Sequence, residues 1–111
     1  MSTIEQAAAA FISATVEKGA EGGPRDDELY RRIQSSYRSL IRAGDAGLDA
    51  VRRLAAHNEP DVRLWASSAL LARGESEYLS VVEAIQREGG VRGLTAEVVL
   101  DEYRNGQLRE P

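Results

Sequence analysis

The sequence predicts an all-α fold of about six helices, arranged as three antiparallel hairpins in a short α-solenoid. Three observations lead there. Apolar residues recur at helical spacing through most of the chain, and no stretch alternates with β-branched enrichment as a strand would. Glycine and proline breaks leave connections of only a few residues, which place consecutive helices side by side. Finally, the segment HNEPDVRLWASSALLARG, residues 57–74, is apolar on two sides. At 100° per residue, Val62, Trp65, Ala66, Ala69 and Leu70 share one arc, and Leu64 and Leu71 lie across from it. A helix apolar nearly all round is one buried between neighbours, so this segment is expected to be the central helix.

The first helix starts at Ser2 or Thr3, where Ser2 with Glu5, or Thr3 with Gln6, has capping-box spacing. Ile4, Ala8, Phe11, Ile12 and Val16 form its stripe, and Gly19 is its expected stop. Residues 19–24, GAEGGP, are the one linker-like stretch. Their glycines predict a mobile loop, across which the first helix can detach or swap. The second helix covers 26–43. Asp26, Asp27 and Glu28 complement the dipole in its first turn, and Leu29, Ile33, Tyr37 and Leu40 form its inner face.

A break at Gly44 introduces the third helix, with Asp45 as candidate cap, inner residues Leu48, Val51, Leu54 and Ala55, and an end near His57. Pro60 suits the first turn of the fourth helix, and Gly74 ends it. The fifth begins near Ser76, carries Tyr78, Leu79, Val82 and Ile85, and ends at Gly89 and Gly90. The sixth runs from about Thr95 to Asn105, with Ala96, Val99, Leu100 and Tyr103 on one side and Leu94 and Val98 on the other. Gly106 stops it.

Composition narrows the function. At 111 residues the chain reads as one domain, 1–111, large enough for its own core. The absence of cysteine excludes disulfides, a thiolate nucleophile and cysteine-based metal sites, and suits a reducing, cytoplasmic setting. No apolar run is long enough to span a membrane, and the N-terminus lacks the basic start of a signal peptide. A net charge of −4 argues against a broad nucleic-acid footprint.

Residues 47–70 resemble a HEAT repeat. Leu48, Val51 and Leu54 stand for its first helix; Pro60-Asp61-Val62-Arg63, Ala66 and Ala69-Leu70 stand for its second. The alanines allow close approach of the two helices, and the repeat's arginine bonds a carboxylate or turn carbonyl of the adjoining repeat. His57 stands where such repeats usually carry aspartate. The run Pro-Asp-Val-Arg-Leu-Trp-Ala at 60–66 also looks like a family of small stand-alone bacterial HEAT-like proteins of unknown function. So do Gly93-Leu94-Thr95-Ala96-Glu97, Leu100 and Tyr103-Arg104-Asn105-Gly106-Gln107-Leu108. That likeness covers the C-terminal half, and it implies a fold without implying an activity.

Catalytic constellations are weak. His57, the sole histidine, with Glu59 and Asp61 makes a poor transition-metal set and reads better as a turn that complements two helix ends. Ser35, Ser36, Ser67 and Ser68 have no histidine one turn away. Asp26-Asp27 and Asp101-Glu102 read as helix-terminal charges rather than acid–base dyads. Gly19, Gly22 and Gly23 precede a proline, without the lysine and hydroxyl of a phosphate loop. No cofactor is expected.

Two features point to binding. Thirteen of the fourteen basic residues are arginine, and between Tyr30 and Gly44 four arginines occur with no acid. Arg31, Arg38 and Arg42 share one narrow arc opposite the inner face of the second helix. Such a run is ordinarily a solvated face; its sharper reading is a docking face for an acidic partner. Trp65 reads chiefly as core, and otherwise as an anchor at a groove edge. The sequence therefore predicts a non-enzymatic protein-interaction module of adaptor or immunity type, whose partner-binding residues are Arg31, Arg38, Arg42 and Trp65. Nucleic-acid binding through the same arginines is the alternative, and a hydrolase using His57 is a third class.

Overall fold

The computed structural model describes residues 2–20 and 25–111. These form α1 (Thr3–Ala20), α2 (Asp26–Arg42), α3 (Asp45–Leu54), α4 (Pro60–Ala72), a single 3-10 turn (Ser76–Tyr78), α5 (Leu79–Glu88) and α6 (Gly90–Arg104), with no strand among the described residues. The all-α expectation holds. Each helix packs against the next in sequence, and α4 also touches α1 and α6.

Helix α4 divides the interior. Val62, Ala66, Ala69 and Leu70 enter a first core with Phe11, Ile33, Tyr37, Leu40 and Val51. Leu64 and Leu71 enter a second core with Val82, Ile85, Ala96 and Leu100. Leu70 and Leu71 are adjacent in sequence and buried in different cores, which is what 100° of rotation between neighbours produces on a two-sided helix. The α5–α6 hairpin thus hangs on the far side of α4 from α1 and α2.

Several local expectations need correction. Gly19 is helical and does not stop α1, which continues to Ala20. Residues 21–24, most of the expected mobile loop, lie outside the described residues. On α1, Phe11 is fully buried, but Ala7, Ala14 and Thr15 share its inner face where Ile4, Ala8, Ile12 and Val16 are only partly covered. The buried Thr15 hydroxyl donates to the carbonyl of Phe11 at 2.9 Å, so a polar side chain is accommodated without an orphaned group.

Asp45 is not the cap of α3. Gly44 occupies that place at φ 73°, and its carbonyl accepts the Leu48 N–H. Helix α6 starts five residues before Thr95. Gly89 (φ 79°) both ends α5 and precedes α6, so the glycine pair is one sharp corner between two helices rather than a long break.

Ion pairs fix the ends of the central helix. Arg92, in the first turn of α6, grips Asp61, in the first turn of α4, through two bonds of 2.8 and 3.0 Å. Arg52 of α3 grips Glu75, after α4, at 2.9 and 3.1 Å. Arg63 donates to the carbonyls of His57 and Asn58, both at 2.9 Å. The arginine of the repeat-like motif therefore closes its own α3–α4 turn, not that of an adjoining hairpin.

Candidate functional site

The face of α2 that the sequence singles out is open. Arg31, Arg38 and Arg42 are exposed, and none pairs with a carboxylate of the described residues. Arg32, one residue off the arc, instead binds Glu28 at 2.6 Å along the helix. From Arg31 to Arg42 the helix rises about 16 Å, so the three guanidinium groups form a line rather than a point.

Trp65 is half-buried, not enclosed. It packs against the first core and meets Tyr30 with ring centroids 5.8 Å apart and planes tilted by 56°. One groove beside it, of about 440 Å³, is bordered by Lys18, Asp61 and Arg92. Another, of about 270 Å³, is bordered by Tyr30, Val99, Leu108 and Pro111.

The C-terminal tail, residues 107–111, connects Trp65 with the arginines. After Gly106 (φ 72°) turns the chain, the tail folds back toward α2. Arg109, Glu110 and Pro111 line the smaller of these Trp65 grooves and also a third groove, of about 470 Å³, that holds Tyr37, Arg38, Ile41 and Arg42. The tail thus brings Trp65, Arg38 and Arg42 into one region. Arg31 borders neither groove.

One carboxylate anchors this tail. Glu110 Oε1 accepts the Tyr37 O–H at 2.5 Å and a Arg73 Nη1 hydrogen at 2.8 Å. Partial burial works against the Glu110 carboxylate, but bonds from Tyr37 and Arg73, with the charge of Arg73, outweigh it and hold its pKa below the ordinary value. Burial, then the hydrogen bond and negative charge of Glu110, push the Tyr37 phenol well above its ordinary range. Tyr37 therefore remains a donor.

Tyr37, Arg73 and Glu110 were not candidates from sequence. Tyr37 stood only as an inner-face residue of α2. The available signal was chemical: a tyrosine on a core face needs an acceptor for its O–H. Its acceptor lies 73 residues away, and local pattern does not reach that far.

Of the serine and histidine candidates, His57, Ser36 and Ser68 are engaged otherwise. His57 Nδ1 accepts the Glu59 N–H at 3.0 Å. Ser36 and Ser68 donate to carbonyls of their own helices, at 2.8 Å to Arg32 and 2.6 Å to Leu64. Ser67 Oγ is buried without a partner among the described residues. No group of three potential metal ligands occurs among the described residues, and no helix among them is long and apolar enough to cross a membrane. A separate apolar strip, Val91, Leu94 and Val98, is exposed on α6.

In comparisons with known proteins, no family model, no curated protein and no solved structure matches the chain.

Proposed function

We propose that this chain is a non-enzymatic protein-interaction module, a short HEAT-like α-solenoid of bacterial adaptor or immunity type that works in the cytoplasm. It docks an acidic protein segment along α2. The observation that carries this reading is the line of Arg31, Arg38 and Arg42, exposed and without carboxylate partners among the described residues; Arg38 and Arg42 border a groove closed by the same tail that lines the groove at Trp65. Arginine forks at a surface favour carboxylates through paired, planar bonds. The solenoid reading draws on the ordered packing of successive helices and on the repeat-like residues 47–70.

The test is fluorescence anisotropy with a labelled octaglutamate peptide at low salt. Wild-type protein should bind, with affinity that falls as salt rises. The combined variant Arg31→Glu, Arg38→Glu and Arg42→Glu should lose binding while keeping its helical circular dichroism. Undiminished binding by that variant would sink the proposal. Labelled single- and double-stranded DNA and RNA test the alternative in the same format. Salt-dependent binding of those in preference to the peptide would replace the protein partner with a nucleic acid.

A further inference from the structure

We propose that Tyr37 and Arg73 form a carboxylate-recognition clasp for an acidic protein segment, and that Glu110 on the C-terminal tail is its built-in competitor. This deepens the reading of α2 as an acidic-partner face and rests on it.

Both donors of the clasp converge on a single oxygen, Glu110 Oε1. The second oxygen of Glu110 accepts no hydrogen bond from the described residues. An arginine fork ordinarily engages both oxygens of a carboxylate. The resident acid therefore uses half of what the clasp offers, and an incoming carboxylate has a better geometry open to it.

The tail is otherwise lightly held. Among the described residues, its backbone makes one hydrogen bond, from the Gln107 N–H to the Glu102 carbonyl at 2.8 Å. Leu108 packs at the margin of the second core, and the Glu110 side chain is 40% exposed. Such a segment opens at small cost compared with any helix.

Charge selects the replacement. The groove beside the clasp is lined by Arg38 and Arg42 of α2 and, from the tail, by Arg109, Glu110 and Pro111. Once the tail lifts, the α2 wall of that groove keeps the charges of Arg38 and Arg42 and carries no acid. Tyr37 is 2% exposed, and its O–H needs an acceptor. Exchange of one carboxylate for another preserves these bonds, whereas an apolar occupant would orphan both donors. A tethered competitor acts at an effective concentration on the order of millimolar. A partner with a single acid would lose to it. A segment with several acids also gains Arg38 and Arg42.

Octaglutamate anisotropy tests this on four proteins: wild type, Glu110→Ala, Glu110→Ala with Tyr37→Phe, and Glu97→Ala, which removes one exposed acid of α6 outside these grooves. Circular dichroism checks that each is folded. Removal of the competitor should tighten binding by roughly fivefold or more. Glu97→Ala should change it little. Tyr37→Phe, which alters no charge, should cancel most of the gain. A Glu110→Ala affinity no better than that of Glu97→Ala overturns the clasp. So does a gain that Tyr37→Phe leaves intact. Reversal of Arg31, Arg38 and Arg42, introduced into the first three of these proteins as well, separates the two proposals. A clasp-dependent gain that survives the reversal leaves this inference standing and removes the α2 reading; wild-type binding lost on reversal, with no gain from Glu110→Ala, does the opposite. No binding by any of the proteins removes both.

Discussion

The carboxylate of Asp61 lies where a side chain at Gly19 would begin. A Cβ built on Gly19 would run into both Asp61 oxygens, and those oxygens are already committed to Arg92. The end of α1 and the first turns of α4 and α6 thus meet at one ion pair, and glycine makes room for it.

Gly19→Ala should therefore go against helix propensity. Alanine in a helix is ordinarily favoured over glycine by up to about 1 kcal/mol. Here it should lower stability, because Asp61 must move off Arg92. In an Asp61→Ala background the clash is gone, and the same substitution should raise stability by about 0.5 kcal/mol. Urea denaturation of the four proteins in this cycle measures the change of sign. Additive effects would show that Gly19 and Asp61 do not interact.

Gly47 faces a harder obstacle. A Cβ there would overlap the backbone carbonyl of Leu40, at the point where α3 packs on the end of α2. Backbone in a packed core yields little, so Gly47→Ala should cost about 3 kcal/mol. Gly93 provides the contrast. Its added Cβ would lie 3.1 Å from the Gln86 carbonyl, a contact that small shifts relieve. Gly93→Ala should stay within about 1 kcal/mol of wild type, with propensity offsetting the crowding. Equal losses in thermal denaturation would contradict this account of α3 packing.

The helices were legible because their signals are local. Ser2 bonds the Glu5 N–H at 3.1 Å, Pro60 opens α4, and Gly74 and Gly106 turn the chain at positive φ. The two-sided pattern of residues 62–71 needed only the helical period to place α4 between two cores. The start of α6 was misread because the glycines at 89, 90 and 93 resemble a loop, whereas the Arg92–Asp61 pair helps fix residues 90–94 as helix. At the candidate site, Arg31, Arg38 and Arg42 were visible as exposed charges on one arc. The tail was not, since residues 107–111 have no periodicity and their anchor is a contact with Tyr37 and Arg73.

Ser67 offers a test of how the core tolerates polarity. Its side chain is fully buried, and its Oγ has no hydrogen-bond partner among the described residues. A buried hydroxyl without a partner carries its desolvation penalty uncompensated. Ser67→Ala removes that group and improves helix propensity, and should leave stability unchanged or raise it by about 1 kcal/mol. A loss above about 1 kcal/mol in chemical denaturation would mean that the hydroxyl is bonded after all.

The clasp also makes a pH prediction whose sign follows from its two titrating groups. The Glu110 pKa is lowered from 4.5 in the folded chain. Its contribution is therefore complete above that ordinary value and is lost as pH falls through the lowered one. The Tyr37 pKa is raised from 10.0, so its contribution is complete below 10.0 and is lost as pH climbs through the raised value. Between those limits the tail should stay docked. Trp65, the only tryptophan, borders the groove that the tail covers, and its emission reports the docking. Acidification below about pH 4.5 should shift that emission to the red as the tail lifts and water reaches the indole. Glu110→Ala should show the red-shifted emission already at neutral pH, with no further step in that acid range. Matching acid titrations for the variant and the wild type would mean that Glu110 does not hold the tail.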